Sequence, residues 1–154
     1  IREDGRIVGV TEELSAQEIY EMGRKVEPFV IAEETRMGHI HLSVKDSQLA
    51  SAFYQEVLGL ADKFTIPSAS WIASGDYHHH LAVNEWGGKN LVKREEDMPG
   101  LAYYIVEVED KGDLIAIAER ANNRGAEVKW LSSNALTFED NDGILTRVRK
   151  NINN

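Results

Sequence analysis

The sequence predicts an α+β fold in which two βαβββ units place their sheets around a cleft. Two observations predict it. A pattern of strand, helix and three strands occurs twice, and His39–Asp46 matches Tyr103–Asp110 in its polar and apolar positions at an offset of about 64 residues. Each copy has one helix, which covers one face of a four-stranded sheet, so the other face needs the partner unit or a ligand.

Residues 1–35 are expected to form a linker arm, with a short strand at 6–10 followed by one polar helix. Ser15 and Glu18 have the spacing of a capping box, which predicts where that helix begins. Its apolar stripe is thin and is too small for the segment to fold alone. The stripe consists of Ile19, Met22 and Val26.

Residues 36–150 are expected to form the folded domain, with the first repeat at 37–86. Residues 38–44 alternate like a half-buried strand, with His39, His41 and Ser43 on one face. Asp46 or Ser47 is expected to cap a helix whose apolar side holds Leu49, Phe53 and Val57, and Gly59 suits a left-handed end. The remaining strands are predicted at 60–66, 69–74 and 77–85, with a tight turn at 74–76.

The second repeat is expected at 101–149 and has the same order of elements. A strand at 102–108 is followed by a helix at 113–123 that ends at Gly125. Three further strands are predicted, at 127–131, 135–139 and 144–149. Asp140-Asn141-Asp142-Gly143 is typical of the hairpin turn between the last two.

The composition excludes several classes of partner. Among 154 residues, 17 Lys and Arg stand against 26 Asp and Glu, which gives a formal net charge of −9. Such a balance repels nucleic acid and anionic membrane surfaces. The chain has no cysteine and no apolar run of the roughly 20 residues that span a bilayer, so a cytoplasmic protein is expected.

Several segments carry a resemblance to a known superfamily: Gly38-His39-Ile40-His41-Leu42-Ser43-Val44, Phe53-Tyr54 with Leu58-Gly59-Leu60, residues 75–86, and Gly100-Leu101-Ala102-Tyr103-Tyr104. They resemble the vicinal-oxygen-chelate superfamily of glyoxalases and extradiol dioxygenases. Residues 75–86 and 100–104 are similar to the C-terminal module of bacterial two-module proteins of the catechol-2,3-dioxygenase type. Because the chain begins with Ile1, we interpret it as such a module, with a sibling module preceding it.

The resemblance implies a divalent metal, with iron(II) held by two histidines and a glutamate in ring-cleaving members. His39 occupies the first of these positions. Tyr103 stands where the second histidine is expected and Arg147 where the glutamate is expected, so two ring-cleavage ligands are missing. A guanidinium repels a metal cation and does not lose its proton to coordinate one.

Glyoxalases add a ligand from the last strand of the first unit, and this position matches His80. His39 and His80 are therefore the metal-ligand candidates, with His78 as an alternate. His41 falls on the same strand face as His39, and imidazole suits zinc, nickel, copper or iron. The alternative is that these histidines are structural or contact a substrate, with no metal.

Tyr103, His41 and Arg147 are the candidates for catalytic side chains lining the cleft. Arg147 is expected either to pair with Glu107 or to bind a substrate carboxylate, and Tyr103 either to offer its hydroxyl or to pack as an ordinary core residue. Three tryptophans can line a pocket or pack on the sheets. They are Trp71, Trp86 and Trp130.

Three functions remain open from the sequence. In the first, the full-length protein is a metal-dependent extradiol dioxygenase or glyoxalase-type enzyme to which this module contributes. Its substrate would be a small molecule such as an aromatic diol. Alternatively, the module has lost its metal and serves as a small-molecule-binding or structural partner. The third possibility is an antibiotic-sequestering resistance protein, which in this superfamily is usually a homo-oligomer.

Overall fold

The computed structural model describes residues 13–23, 27–28, 30–88, 90–93, 95 and 97–151. The chain divides into two compact units, residues 1–38 and 39–154. The strand expected at 6–10 and the stripe residue Val26 lie outside the described residues.

The described residues of the first unit include one helix, α1 (Ala16–Met22). The Ser15 hydroxyl accepts a hydrogen bond from the Glu18 backbone N–H at 3.4 Å, so the predicted start of this helix is confirmed. No residue of α1 is buried, and Ile19 and Met22 are exposed.

The second unit consists of two βαβββ repeats, each with a four-stranded mixed sheet, and confirms the predicted α+β class with paired βαβββ repeats. The sheet orders are β1-β4-β3-β2 and β5-β8-β7-β6, so the first and last strands of each repeat lie side by side and parallel. The elements are β1 (Ile40–Ser43), α2 (Ser47–Leu58), β2 (Ala61–Ile66), β3 (Ala69–Ala73), β4 (Leu81–Asn84), β5 (Tyr104–Val108), α3 (Lys111–Asn123), β6 (Lys129–Ser132), β7 (Ala135–Glu139) and β8 (Leu145–Lys150).

Local signals position both helices. The Asp46 carboxylate accepts from two backbone N–H groups at the start of α2, and Asp110 does the same for one at the start of α3. Gly59 ends α2 with φ 71°, the left-handed conformation that glycine adopts at low cost. The two capping aspartates therefore keep the repeat offset, and α3 begins two residues earlier than expected.

The two repeats share one core, because α2 and α3 pack against each other between the sheets. The rings of Phe53 and Phe138 lie 6.0 Å apart, and the Tyr54 hydroxyl donates to Asp140 at 2.6 Å. Within the described residues, no strand of one sheet neighbours a strand of the other. Each sheet thus packs one face on the helices and leaves the opposite face for other contacts. In the described residues the two sheets make no contact with each other that forms the shared cleft predicted from the sequence.

Two expectations are corrected. Leu49 is 57% exposed, whereas Ala50, Phe53, Tyr54 and Val57 are buried, so the packed face of α2 lies further round the helix than predicted. The strand predicted at 77–85 is β4, which covers only 81–84. The turn predicted at 74–76 is present, with Gly75 at φ 61°, and residues 77–80 form an irregular connection between that turn and β4.

In the part of the chain that the structure describes, no helix has the length and apolar character needed to cross a bilayer.

Candidate functional site

The open face of the first sheet begins with the histidines of β1 and the residue before it. Burial alternates along this segment: His39 and His41 are exposed, whereas Leu42 and Val44 are buried against the core. This is the period of two that a half-buried strand requires. The predicted orientation of His39 and His41 on one face is confirmed.

His79 joins these two side chains from the connection between β3 and β4. Its Nε2 lies 3.1 Å from the Nε2 of His41, and its ring centroid lies 4.2 Å from that of His39. The three residues each offer a ring nitrogen, and these nitrogens all lie within 4.8 Å of one another. We call His39, His41 and His79 the three-histidine group.

His78 and His80 lie beside this group but outside it. The His78 ring contacts those of His39 and His79, with centroids 5.2 Å and 4.4 Å apart. His80 is exposed, its Nδ1 accepts from the Ser74 backbone N–H at 3.2 Å, and its ring lies on Tyr77. The structure therefore brings His79, not His80, to His39.

The reason lies in the connection before β4. Alternation along a continuous strand would place His78 and His80 on the face of His39, but β4 begins only at Leu81. The irregular backbone at 77–80 turns His79 toward β1 instead, and His79 is 9% exposed. In the sequence, only the run His78-His79-His80 pointed to His79 as a ligand candidate, because the alternation of a strand favoured His78 and His80 as the partners of His39.

The surroundings of His41, His79 and His80 favour neutral imidazoles. Burial, followed by the neighbouring imidazoles led by His39, lowers the pKa of His79 to about 4. Burial and His39 also lower the pKa of His41, and burial with His78 and Lys63 lowers that of His80. A neutral imidazole has a lone pair for a metal ion, so the lowered pKa values of His41 and His79 favour their ligating form at neutral pH.

The distances fit a first-row metal ion. Two nitrogens bound tetrahedrally to one zinc ion at about 2.0–2.1 Å lie about 3.3 Å apart. The pair of His41 and His79 is already at 3.1 Å. One ring nitrogen of His39 lies within 4.8 Å of one nitrogen of each of the other two, so a side-chain movement of His39 would complete three ligands.

Aromatic side chains continue the same sheet face beyond His41. The register places His41, Ala82, Trp71 and Phe64 side by side on neighbouring strands. Trp71 contacts Phe64 and Trp86, with ring centroids 5.3 Å and 6.4 Å apart. We call Phe64, Trp71 and Trp86 the aromatic row, which offers a partly exposed apolar surface beside His41.

The second sheet has a different arrangement at the matching positions. The Arg147 guanidinium carbon lies 3.5 Å from the centroid of the Tyr103 ring, which is a cation–π contact. Glu107, the expected partner of Arg147, instead pairs with Arg149 at 2.6 Å. These residues do not fit the two histidines and one glutamate of a ring-cleavage iron site, because a cation and a phenol stand where two ligands are needed.

Paired βαβββ repeats with mixed four-stranded sheets and a histidine at the opening strand define the class of glyoxalase- and dioxygenase-like proteins. The family model described as Glyoxalase/Bleomycin resistance protein/Dioxygenase superfamily matches residues 36–148. The chain belongs to this superfamily, as the resemblance predicted.

Individual relatives agree with this family. The chain is 36% identical over 98 residues to catechol-2,3-dioxygenase from Bacillus subtilis (strain 168), an alignment that covers 62% of the chain and 34% of that protein. The chain thus spans about a third of the length of this relative.

Solved structures show the same fold at lower identity. A glyoxylase/bleomycin resistance protein/dioxygenase domain from Frankia sp. EAN1pec has a TM-score of 0.60 and 22% identity, covering 75% of the chain and 97% of the domain. Lactoylglutathione lyase from Agrobacterium tumefaciens has a TM-score of 0.56 and 16% identity, covering 77% and 96%. The fosfomycin resistance protein FosX from Listeria monocytogenes has a TM-score of 0.56 and 18% identity, covering 76% and 93%.

Proposed function

We propose that this chain is a metal-binding module of a two-module protein of the catechol-2,3-dioxygenase type, and that it holds a divalent cation without opening aromatic rings itself. The three-histidine group carries the proposal, since its nitrogens lie within 4.8 Å of one another. The catechol-2,3-dioxygenase of Bacillus subtilis supports it, because the part of the chain that matches covers only 34% of that protein. A sibling module preceding Ile1 is part of this proposal.

The ligand assignment follows from the contacts. His41 lies in β1, His39 directly precedes this strand, and the buried His79 contacts both of them. His80 already uses its Nδ1 to accept from the Ser74 backbone, so we assign it to the connection rather than to the metal. His78 supports the group by contacting the rings of His39 and His79.

A bound metal would supply Lewis acidity and open coordination positions to a small molecule. The aromatic row extends from His41 across the small Ala82 side chain, so a ligand held near the histidines has an apolar aromatic surface beside it. An aromatic compound, of which an aromatic diol is one example, suits this surface. The second repeat contributes no histidine or carboxylate at positions 103 and 147, and for this reason we propose no ring cleavage by the module alone.

The test measures binding of cobalt(II) and zinc(II) to the 154-residue chain by titration calorimetry and by the visible spectrum of the cobalt form. Single variants His39→Ala, His41→Ala and His79→Ala are each expected to weaken binding about tenfold or more, because each removes one of three ligands. His80→Asn is the matched control, since its amide oxygen can still accept from Ser74. It is expected to bind within about twofold of the parent.

The opposite pattern would refute the ligand assignment. If His80→Asn abolishes binding while His79→Ala does not, His39 and His80 form the site. If cobalt(II) does not bind at all, the histidines have a structural or substrate-contact role. Iron-dependent conversion of catechol by this chain, lost in His39→Ala, would contradict the proposed lack of ring-opening activity.

A further inference from the structure

Arg147 lies on the open face of the second sheet without an acceptor for its buried nitrogen. It belongs to β8, between Ile105 of β5 and Thr137 of β7 in register. The Tyr103 ring covers one face of the guanidinium at 3.5 Å. Within the described residues, the buried Arg147 Nε has no hydrogen-bond partner.

The neighbouring carboxylates are already paired with other cations. Glu107 lies two residues after Ile105 on the same strand. Its Oε1 accepts from Arg149 Nη2 at 2.6 Å and from Arg149 Nε at 2.8 Å. Glu139 at the end of β7 binds Lys93. The described part of the chain therefore supplies Arg147 with a π face but with no carboxylate.

A stacked guanidinium has its donors in one plane, and those donors match the two oxygens of a carboxylate. The aromatic ring of Tyr103 covers one face of that plane, and Arg147 is only half-buried, so part of its side chain remains accessible to an acceptor. An unpaired, partly buried guanidinium is unfavourable, and an anionic ligand removes this penalty. Ile105 is 43% exposed beside Arg147 and offers apolar contact for the body of the ligand.

We propose that Arg147, held on Tyr103, forms a binding site for a carboxylate with a flat apolar body. The site lies on the second repeat, uses no residue of the three-histidine group, and does not require a metal. It assigns to position 147 a substrate- or product-binding role in place of metal coordination.

The test follows the side-chain Nε–Hε signal of Arg147 in ¹H–¹⁵N NMR spectra of the 154-residue chain, with EDTA present. Benzoate is the probe, and benzamide is its neutral counterpart of nearly equal shape. Benzoate is expected to shift the Arg147 signal saturably in the millimolar range, whereas benzamide leaves it unchanged. Arg147→Met is expected to weaken benzoate binding about tenfold or more, measured on neighbouring backbone signals.

Arg149→Met is the matched control, because it removes the same charge from the same strand at an ion-paired position. It is expected to bind benzoate within about threefold of the parent. If Arg147→Met fails to fold by circular dichroism, Arg147→Lys replaces it, with a weaker but measurable loss because lysine keeps the charge and lacks the planar fork.

The proposal is overturned if benzoate produces no saturable shift, if benzamide produces the same shift, or if Arg149→Met weakens binding as much as the Arg147 variant. Since EDTA removes metal throughout, failure here leaves the metal proposal intact. Failure of cobalt binding likewise leaves this site unaffected.

Discussion

Removing the Tyr54 hydroxyl is expected to weaken the contact between the two repeats. Tyr54 belongs to α2 of the first repeat and donates at 2.6 Å to Oδ2 of Asp140 in the second. Asp140 is 8% exposed, so water cannot easily replace the lost donor. Hydrogen bonds to charged groups contribute about 1.5–3 kcal/mol, so Tyr54→Phe should lower the free energy of unfolding by about 2 kcal/mol and Tm by about 4–8 °C.

The loss should depend on pH, because Asp140 titrates in this contact. Burial raises the pKa of Asp140, while hydrogen bonds from Tyr54 and from the backbone N–H groups of Ile144 and Asp142 oppose that rise. Without the Tyr54 hydroxyl, the pKa of Asp140 in the folded state rises further above its value of about 3.9 in the unfolded state. Between the unfolded-state and folded-state pKa values of Asp140, the native state binds more protons than the unfolded state. The stability of the variant therefore falls as the pH rises through this range.

Urea unfolding at about pH 4 and pH 7, followed by circular dichroism, measures this difference. The destabilisation by Tyr54→Phe should be larger at pH 7, where the carboxylate is charged, than at the lower pH. Tyr77→Phe is the control, since Tyr77 is 39% exposed, and should change the free energy of unfolding by less than about 0.5 kcal/mol. An equal loss for Tyr54→Phe at both pH values, or none at either, would refute the role given to this hydrogen bond.

Two further stability predictions concern α2. Phe53→Ala removes a ring that is 1% exposed and should lower the free energy of unfolding by about 3–5 kcal/mol, measured by urea unfolding. Leu49→Ala on the same helix removes a side chain that is 57% exposed and should lower it far less. Similar losses for the two variants would contradict the burial described for this helix. Gly59→Ala should lower the free energy of unfolding by about 1 kcal/mol, because φ is 71° at this position. Gly59→Asn should lose less stability than Gly59→Ala in the same assay. A Gly59→Ala variant as stable as the parent would show that the end of the helix relaxes.

Local rules were sufficient for most elements of the fold. Asp46 and Gly59 mark the ends of α2 because capping and left-handed backbone depend on residues close in sequence. The 64-residue offset also holds between the first strands and between the capping aspartates Asp46 and Asp110. Repetition of a local pattern is visible in the sequence, and it predicted two βαβββ repeats.

The sites depended on geometry that no local period contains. Alternation favoured His80 as the partner of His39, but the irregular backbone before β4 presents His79, and only the folded connection decides which ring reaches β1. Likewise, the sequence left two possible partners for Arg147, Glu107 or the carboxylate of a ligand. The tertiary structure pairs Glu107 with Arg149 instead. Residue types determined which chemistry is available to this protein. Strand register and the path of one connection decided which side chains meet, because atoms within bonding distance here come from segments far apart in the chain.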